Sequence, residues 1–220
     1  MRQKPRLTRR VVMKNEGAVA LPNIGYLKKN VPDELFNNLK KECLEWRESE
    51  DVMTTGLSSM GVTKHFWIKD KKALQDYVLS LVKEYNESFD YIRYVDILSK
   101  NLPFTAGDPW FNIQKKGQFI PNHVHQGVYS YTIWVKIPYG LEKEYGRMGE
   151  MATTYSGQFE FTYPTTLGSL WSQRFDLTKE YEGVIILFPS KLLHCVYPFC
   201  STDEERISIS GNIFLDADRP

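Results

Sequence analysis

The first half of the chain carries two apolar stripes at helical spacing. In the first, Leu35, Phe36, Leu39, Cys43 and Trp46 recur every three or four residues, a period that gathers side chains on one face of an α-helix. Pro32 precedes Asp33 and Glu34, and a proline at the opening with acids in the first turn favours a helix start. The second stripe begins near Asp70 and runs Leu74, Tyr77, Val78, Leu81, Val82, Tyr85 and Phe89. Between the two, Met53 to Gly61 is rich in Thr, Ser and Gly and reads as a loop. Each helix has one apolar face, which needs a sheet to cover it.

From about Trp110 the period changes. Apolar segments at 110–116, 128–137, 158–163, 169–175, 184–188, 194–199 and 206–215 are short, several alternate with period two, and Gly or Pro separates many of them. Strands in such number, with no helical pattern between them, predict an antiparallel sandwich or barrel. The longest interruption, 139–157, is polar and contains Gly140, Gly146, Gly149 and Gly157. A loop of that length within a domain reads as a lid or binding loop. No internal repeat is present.

At 220 residues the chain can bury roughly 70% of its unfolded surface, so it folds without disulfides or a structural metal. Lys+Arg total 28 against 27 Asp+Glu, a net +1, which excludes a general polyelectrolyte role. The charge is uneven, since Arg2, Lys4, Arg6, Arg9, Arg10 and Lys14 all precede the first acid, Glu16. Such an arm is either a solvated tail or a contact for nucleic acid or another acidic assembly partner. Cys43, Cys195 and Cys200 are scattered and odd in number, which suits a reducing, cytoplasmic setting. No apolar signal segment follows the basic start, and no apolar run is long enough for a membrane span.

The candidate chemistry lies in three of the four histidines. His123 and His125 are two apart, and residues so spaced on a β-strand point the same way. His194, in a later strand, is placed to be a third metal ligand. Arg206 follows, in an apolar strand where a guanidinium needs an anion, and it offers a fixed fork for a carboxylate. The competing reading is a surface ion pair with Glu204 or Glu205. Ser208 shares the face of Arg206 and is either an assistant to it or a plain strand serine. Asn112 and Gln114 share a face of the 110–116 strand, to line a pocket or to bond backbone. Tyr129 and Tyr131 also share a face, where one hydroxyl could reach a cosubstrate or both rings could be core. Trp110, Trp134 and Trp171 read as packing, Cys195 as a small apolar residue, and His65 carries no assigned chemistry.

The run Gly183 to Ser190, His194-Cys195-Val196, Arg206-Ile207-Ser208 and Gly211-Asn212, with Asn112, His123, His125 and 135–138, resembles the iron(II)- and 2-oxoglutarate-dependent oxygenase superfamily. It is most similar there to small prolyl-4-hydroxylase-like proteins of marine phages, over roughly residues 105–215. The resemblance implies a double-stranded β-helix (jelly-roll, cupin-like) core, mostly β within an α+β chain. Its expected divisions are a basic arm at 1–18, a helical flank at 19–105 and the oxygenase core at 106–220. It further implies iron(II) held by His123, His125 and His194 as the catalytic set. The 2-oxoglutarate cosubstrate would be bound by Arg206, Ser208, Tyr131 and Asn112. A host cytoplasm or a virion would be the setting of a phage-encoded member. The chain departs from the family's two-histidine, one-carboxylate triad, because His125 stands where a carboxylate is usual. Imidazole also suits other divalent metals. The primary substrate is open among a protein side chain, a nucleobase and a metabolite, and a catalytically inactive binding or structural module is the other class left open.

Overall fold

Strand 184–188 is apolar at every position because both of its faces are covered. Ile185 and Leu187 join a cluster under the helices, while Ile186 and Phe188 join a second cluster between two sheets. That division organises the whole molecule, a mostly β protein with a double-stranded β-helix core. The structure is a computed structural model describing residues 17–20, 25–48, 64–95, 101–147, 155–165 and 167–216. Nearly all of the basic arm, and the 53–61 loop, lie outside the described residues.

In chain order the elements begin with β1 (Gly17–Ala20), β2 (Gly25–Asn30), α1 (Asp33–Trp46), β3 (Lys64–Trp67), α2 (Lys72–Phe89), β4 (Phe104–Ala106) and β5 (Trp110–Gln114). There follow β6 (Ile120–His123), β7 (Tyr129–Lys136), α3 (Leu141–Arg147), β8 (Gln158–Pro164), β9 (Leu170–Asp176), β10 (Val184–Pro189), β11 (Leu193–Val196) and β12 (Arg206–Leu215). The larger sheet runs β1-β2-β10-β7-β12-β5-β3, with β4 also on β12, and the smaller runs β6-β11-β8-β9. The paired strands are antiparallel.

Both expected helices form, and α1 and α2 cover the outer face of the larger sheet through Leu39, Cys43, Leu74, Val78, Leu81, Val82 and Tyr85. Burying each large apolar side chain contributes roughly 1.5–3 kcal/mol. The Tyr85 hydroxyl also donates to the Gly25 carbonyl at 2.7 Å, which ties α2 to β2. Trp46 ends its stripe at the surface, under the Lys69 ammonium. Among the described residues no helix is long and apolar enough to cross a membrane.

All seven expected strands are present, and among the described residues five more join them. The 19–105 region, helical by its pattern, also supplies β2, β3 and β4 to the larger sheet. These strands were hidden because β3 has four residues, β4 three, and β2 reads Gly-Tyr-Leu-Lys-Lys-Asn. β6 holds Pro121 and a single apolar residue. The 139–157 loop contains the helix α3, whose buried Glu144 accepts from the Ser156 hydroxyl and the N–H groups of Cys200 and Ser201. Residues 148–154 of that loop lie outside the described set.

β12 shows how the core is divided. Ile207, Ile209 and Ile213 face the helices, so the alternate residues Arg206, Ser208 and Ser210 face the space between the sheets. Gly211 falls on the helix side, where the Tyr131 ring lies across it. A Cβ built there would meet the Tyr131 hydroxyl at 2.3 Å. Gly211→Ala is therefore expected to destabilise the fold by about 1–3 kcal/mol, the cost of overpacking a filled core. Urea denaturation measures this, and an unchanged midpoint would contradict the packing described.

Candidate metal centre

β6 and β11 are neighbours in the smaller sheet, and His123 pairs directly with His194 across them. His123 is the last residue of β6, so His125 does not project from the same strand as the H-x-H spacing suggested. It sits in the following loop, and the loop is fastened from outside. The His125 N–H donates to the Ser190 carbonyl at 2.9 Å, and the Lys191 ammonium donates to the His125 carbonyl at 3.1 Å. Val128 N–H donates to the Ile213 carbonyl at 2.8 Å. Gly127 permits that approach, with φ of 89° and a hypothetical Cβ only 2.7 Å from the Ile213 oxygen. Only glycine takes such a position without strain.

The three rings converge. Their ligating nitrogens all lie within 4.8 Å of one another, and the Nε2 atoms of His125 and His194 are 3.2 Å apart. The Nδ1 atom of His123 lies 2.8 Å from the Pro121 carbonyl, and that of His194 lies 2.8 Å from the Leu192 carbonyl. A carbonyl only accepts, so both Nδ1 atoms carry the proton and both Nε2 atoms offer a lone pair. Tying back the second ring nitrogen in this way fixes tautomer and ring orientation at metal sites. Three neutral imidazoles aimed at one point fit a divalent transition metal.

Burial keeps the rings neutral. Phe159, Phe161 and Phe188 surround His194 with ring centroids 5.0–6.3 Å away. Loss of water holds the His194 ring well below the usual histidine range, with His123 and His125 adding to the effect. The same desolvation, and the neighbouring His123, push His125 down to about 4. Burial also lowers His123, against the opposing bond to Pro121.

One cavity joins the histidines to Arg206, and Asn112, Gln114, Ser208 and Ser210 line it between them. Arg206 is 2% exposed and forms no ion pair among the described residues, so the Glu204 and Glu205 alternative does not hold. Glu204 pairs with Lys136 instead. The guanidinium is set by neutral groups. Nε and one Nη2 donor reach Gln114 Oε1, Nη2 also reaches the Tyr197 carbonyl, and Nη1 donates to the Tyr139 hydroxyl at 2.6 Å. Tyr139 passes its own proton to the Gly157 carbonyl, which couples Arg206 to the base of the 139–157 loop.

Tyr131 packs in the helix-side cluster with Tyr129 and Ile133 and also lines the cavity, its buried hydroxyl without a hydrogen-bond partner among the described residues. Trp171, read as packing, is more than half exposed. Tyr139, Tyr197 and His65 are site residues that the sequence reading missed. Trp110, taken as packing, lines the cavity with its ring centroid 6.2 Å from that of His125. Its place two residues before Asn112 was the available signal, since both must share a face.

The sequence from 108 to 212, just under half of the chain, matches the profile of a family described as "Putative 2OG-Fe(II) oxygenase". Comparison with curated proteins gives no match. Among solved structures, a prolyl-4-hydroxylase of Pseudomonas putida is 15% identical, covering 87% of this chain and 92% of its own, with a TM-score of 0.55. A prolyl hydroxylase of Trichoplax adhaerens, in complex with a hypoxia inducible factor peptide fragment, is 13% identical with a TM-score of 0.56. It covers 88% of this chain and 84% of its own. A non-heme alpha-ketoglutarate-dependent epimerase of nogalamycin biosynthesis is 14% identical, covers 89% and 80%, and has a TM-score of 0.51. At such identities the structural likeness shows the fold. With the profile match, it bears out the resemblance to iron(II)- and 2-oxoglutarate-dependent oxygenases of the prolyl-4-hydroxylase type.

The depressed histidines make the metal-free protein acid-sensitive in a defined window. As pH falls the unfolded chain, with ordinary histidines near 6.5, takes up protons before the folded one does, so stability is lost. For His125 that window runs from about 6.5 to about 4. Denaturation of metal-free protein across this range is expected to show the loss, and His125→Gln is expected to reduce it. Identical pH profiles for the two proteins would contradict the placement of His125.

Proposed function

We propose that the chain is an iron(II)- and 2-oxoglutarate-dependent dioxygenase that hydroxylates its substrate, with His123, His125 and His194 as the metal ligands. The observation carrying this reading is that three neutral imidazoles and one unpaired, buried guanidinium share a single cavity. Bound iron would supply the redox chemistry, in which O2 oxidises the oxo acid to succinate and CO2 and its second oxygen atom enters a substrate C–H bond.

The chain's own residues bind, orient and exclude water. Arg206 takes the distal carboxylate of the dicarboxylic acid through the one guanidinium N–H that Gln114, Tyr139 and Tyr197 leave over. Ser208 and Asn112, between Arg206 and the histidines, add hydrogen bonds along the length of the acid. Gln114 and Tyr139 hold the guanidinium in place before the ligand arrives, which reduces the ordering cost of binding. Tyr131 lines the same cavity and is a further candidate donor to the acid. Phe159, Phe188 and Trp134 supply the apolar part of the lining, and in such surroundings electrostatic contacts are stronger than in water. Iron is favoured by the family resemblance, whereas the ligand set by itself also suits zinc, nickel and copper.

Anaerobic addition of iron(II) and 2-oxoglutarate is expected to produce the visible charge-transfer band of a chelated oxo acid. Arg206→Ala should weaken cosubstrate binding by about 2–5 kcal/mol, as for loss of one partner of a buried charged pair. Ser208→Ala should cost about 1 kcal/mol. Stoichiometric metal without any band would reject the cosubstrate assignment.

A further inference from the structure

The cavity contains hydrogen-bond donors and a cation but, among the described residues, no carboxylate. Its polar lining comes from both sheets, with His123 and His194 on the smaller one and Arg206, Asn112, Ser208 and His65 on the larger. The buried acids Glu144 and Glu160 do not line the cavity; Glu144 is spent on Ser156 and the backbone of Cys200 and Ser201, and Glu160 on Arg174 and Ser172. On the reading given above, a divalent metal and Arg206 bring three positive charges, and a dicarboxylate cancels two. One positive charge then stays uncompensated inside the walls, where the low dielectric makes it costly. A centre with a carboxylate in place of His125 would carry no such excess.

His65 marks where compensation would enter. It lies on β3, opposite Asn112 of β5, which is itself opposite Ser208 of β12. The three residues thus form a row across the inner face of the larger sheet, from its β3 edge to the strand that holds Arg206. His65 is 4% exposed, and among the described residues neither ring nitrogen has a hydrogen-bond partner. The Asn112 amide lies close enough to oppose the depression that burial imposes on the ring, but not in hydrogen-bonding geometry. A buried polar group without a partner is uncommon in a folded protein. Here it lines the same cavity as the metal ligands, to the side of the path between them and Arg206.

We propose that the primary substrate is itself an anion, received between the histidines and His65 after the cosubstrate is in place. The His65 ring contacts the anionic group, and the excess charge of the three-imidazole centre selects it over a neutral molecule of the same shape. This rests on the dioxygenase reading and names its substrate class, a carboxylate- or phosphate-bearing molecule.

The test separates the two ideas. Protein loaded with manganese(II) is first titrated with N-oxalylglycine, an inert oxo-acid analogue, and the complex is then titrated calorimetrically with acetate or with neutral, isosteric acetamide. Acetate is expected to bind at least tenfold more tightly than acetamide. His65→Ala should remove at least fivefold of that preference with analogue affinity unchanged. His125→Asp, which places a carboxylate in the centre, should abolish the preference while metal and analogue still bind, and it carries the comparison if His65→Ala does not fold. Equal binding of acetate and acetamide, or a preference untouched by both substitutions, would overturn the anionic-substrate proposal alone. Failure of the analogue to bind would overturn the dioxygenase reading, and this inference with it.

Discussion

Two short hydrogen bonds inside the histidine segments govern the rest of the site. His123 and His194 each give the Nδ1 proton to a carbonyl two residues earlier in the chain, so each ring presents its Nε2 lone pair inward. Because the two residues face each other across β6 and β11, both lone pairs meet in one place. His125 completes the set from the loop that follows β6, and its position depends on the Ser190 carbonyl and Lys191 ammonium of the β10–β11 connection and on the Ile213 carbonyl of β12. The aromatic wall then removes water and keeps all three rings uncharged. Coordination needs imidazole in that neutral form.

The second constraint is the use of both faces of the larger sheet. Helices cover one face, so the other can carry polar groups toward the smaller sheet without exposing a core to water. β12 shows the arrangement in one strand, with isoleucines outward to the helices and Arg206, Ser208 and Ser210 inward. Arg206 tolerates burial because Gln114, Tyr139 and the Tyr197 carbonyl satisfy most of its donors, with the Tyr139 and Phe199 rings packed against it. A guanidinium so held is rigid and short of an anion. The base of the 139–157 loop reaches it through Tyr139, so the Arg206 end of the cavity and that loop are mechanically joined.

Much of this was legible in the sequence, and the misses have physical causes. The alternation in 206–215 and the apolar run in 184–188 announced strands with at least one buried face. The pattern could not say which face looked into a cavity. Polar residues at period two normally mark a solvated side, whereas Ser208, Ser210 and Thr132 point inward here. Strand 129–136 is equally ambiguous, since it carries bulky residues on both faces. The H-x-H pair was found, but the strand argument for it was incorrect, because β6 stops at His123 and long-range contacts seat His125. Tyr139, Tyr197 and His65 reach the site from three separate segments, and no local spacing encodes such an encounter.

The central claim is that three imidazoles from two neighbouring strands and one loop hold a single metal ion. X-ray absorption at the metal edge of iron-loaded, oxygen-free protein addresses it most directly. The account predicts one iron per chain whose outer-shell scattering requires three imidazole rings. A fit needing fewer than three, or a metal content well below one per chain, would contradict it.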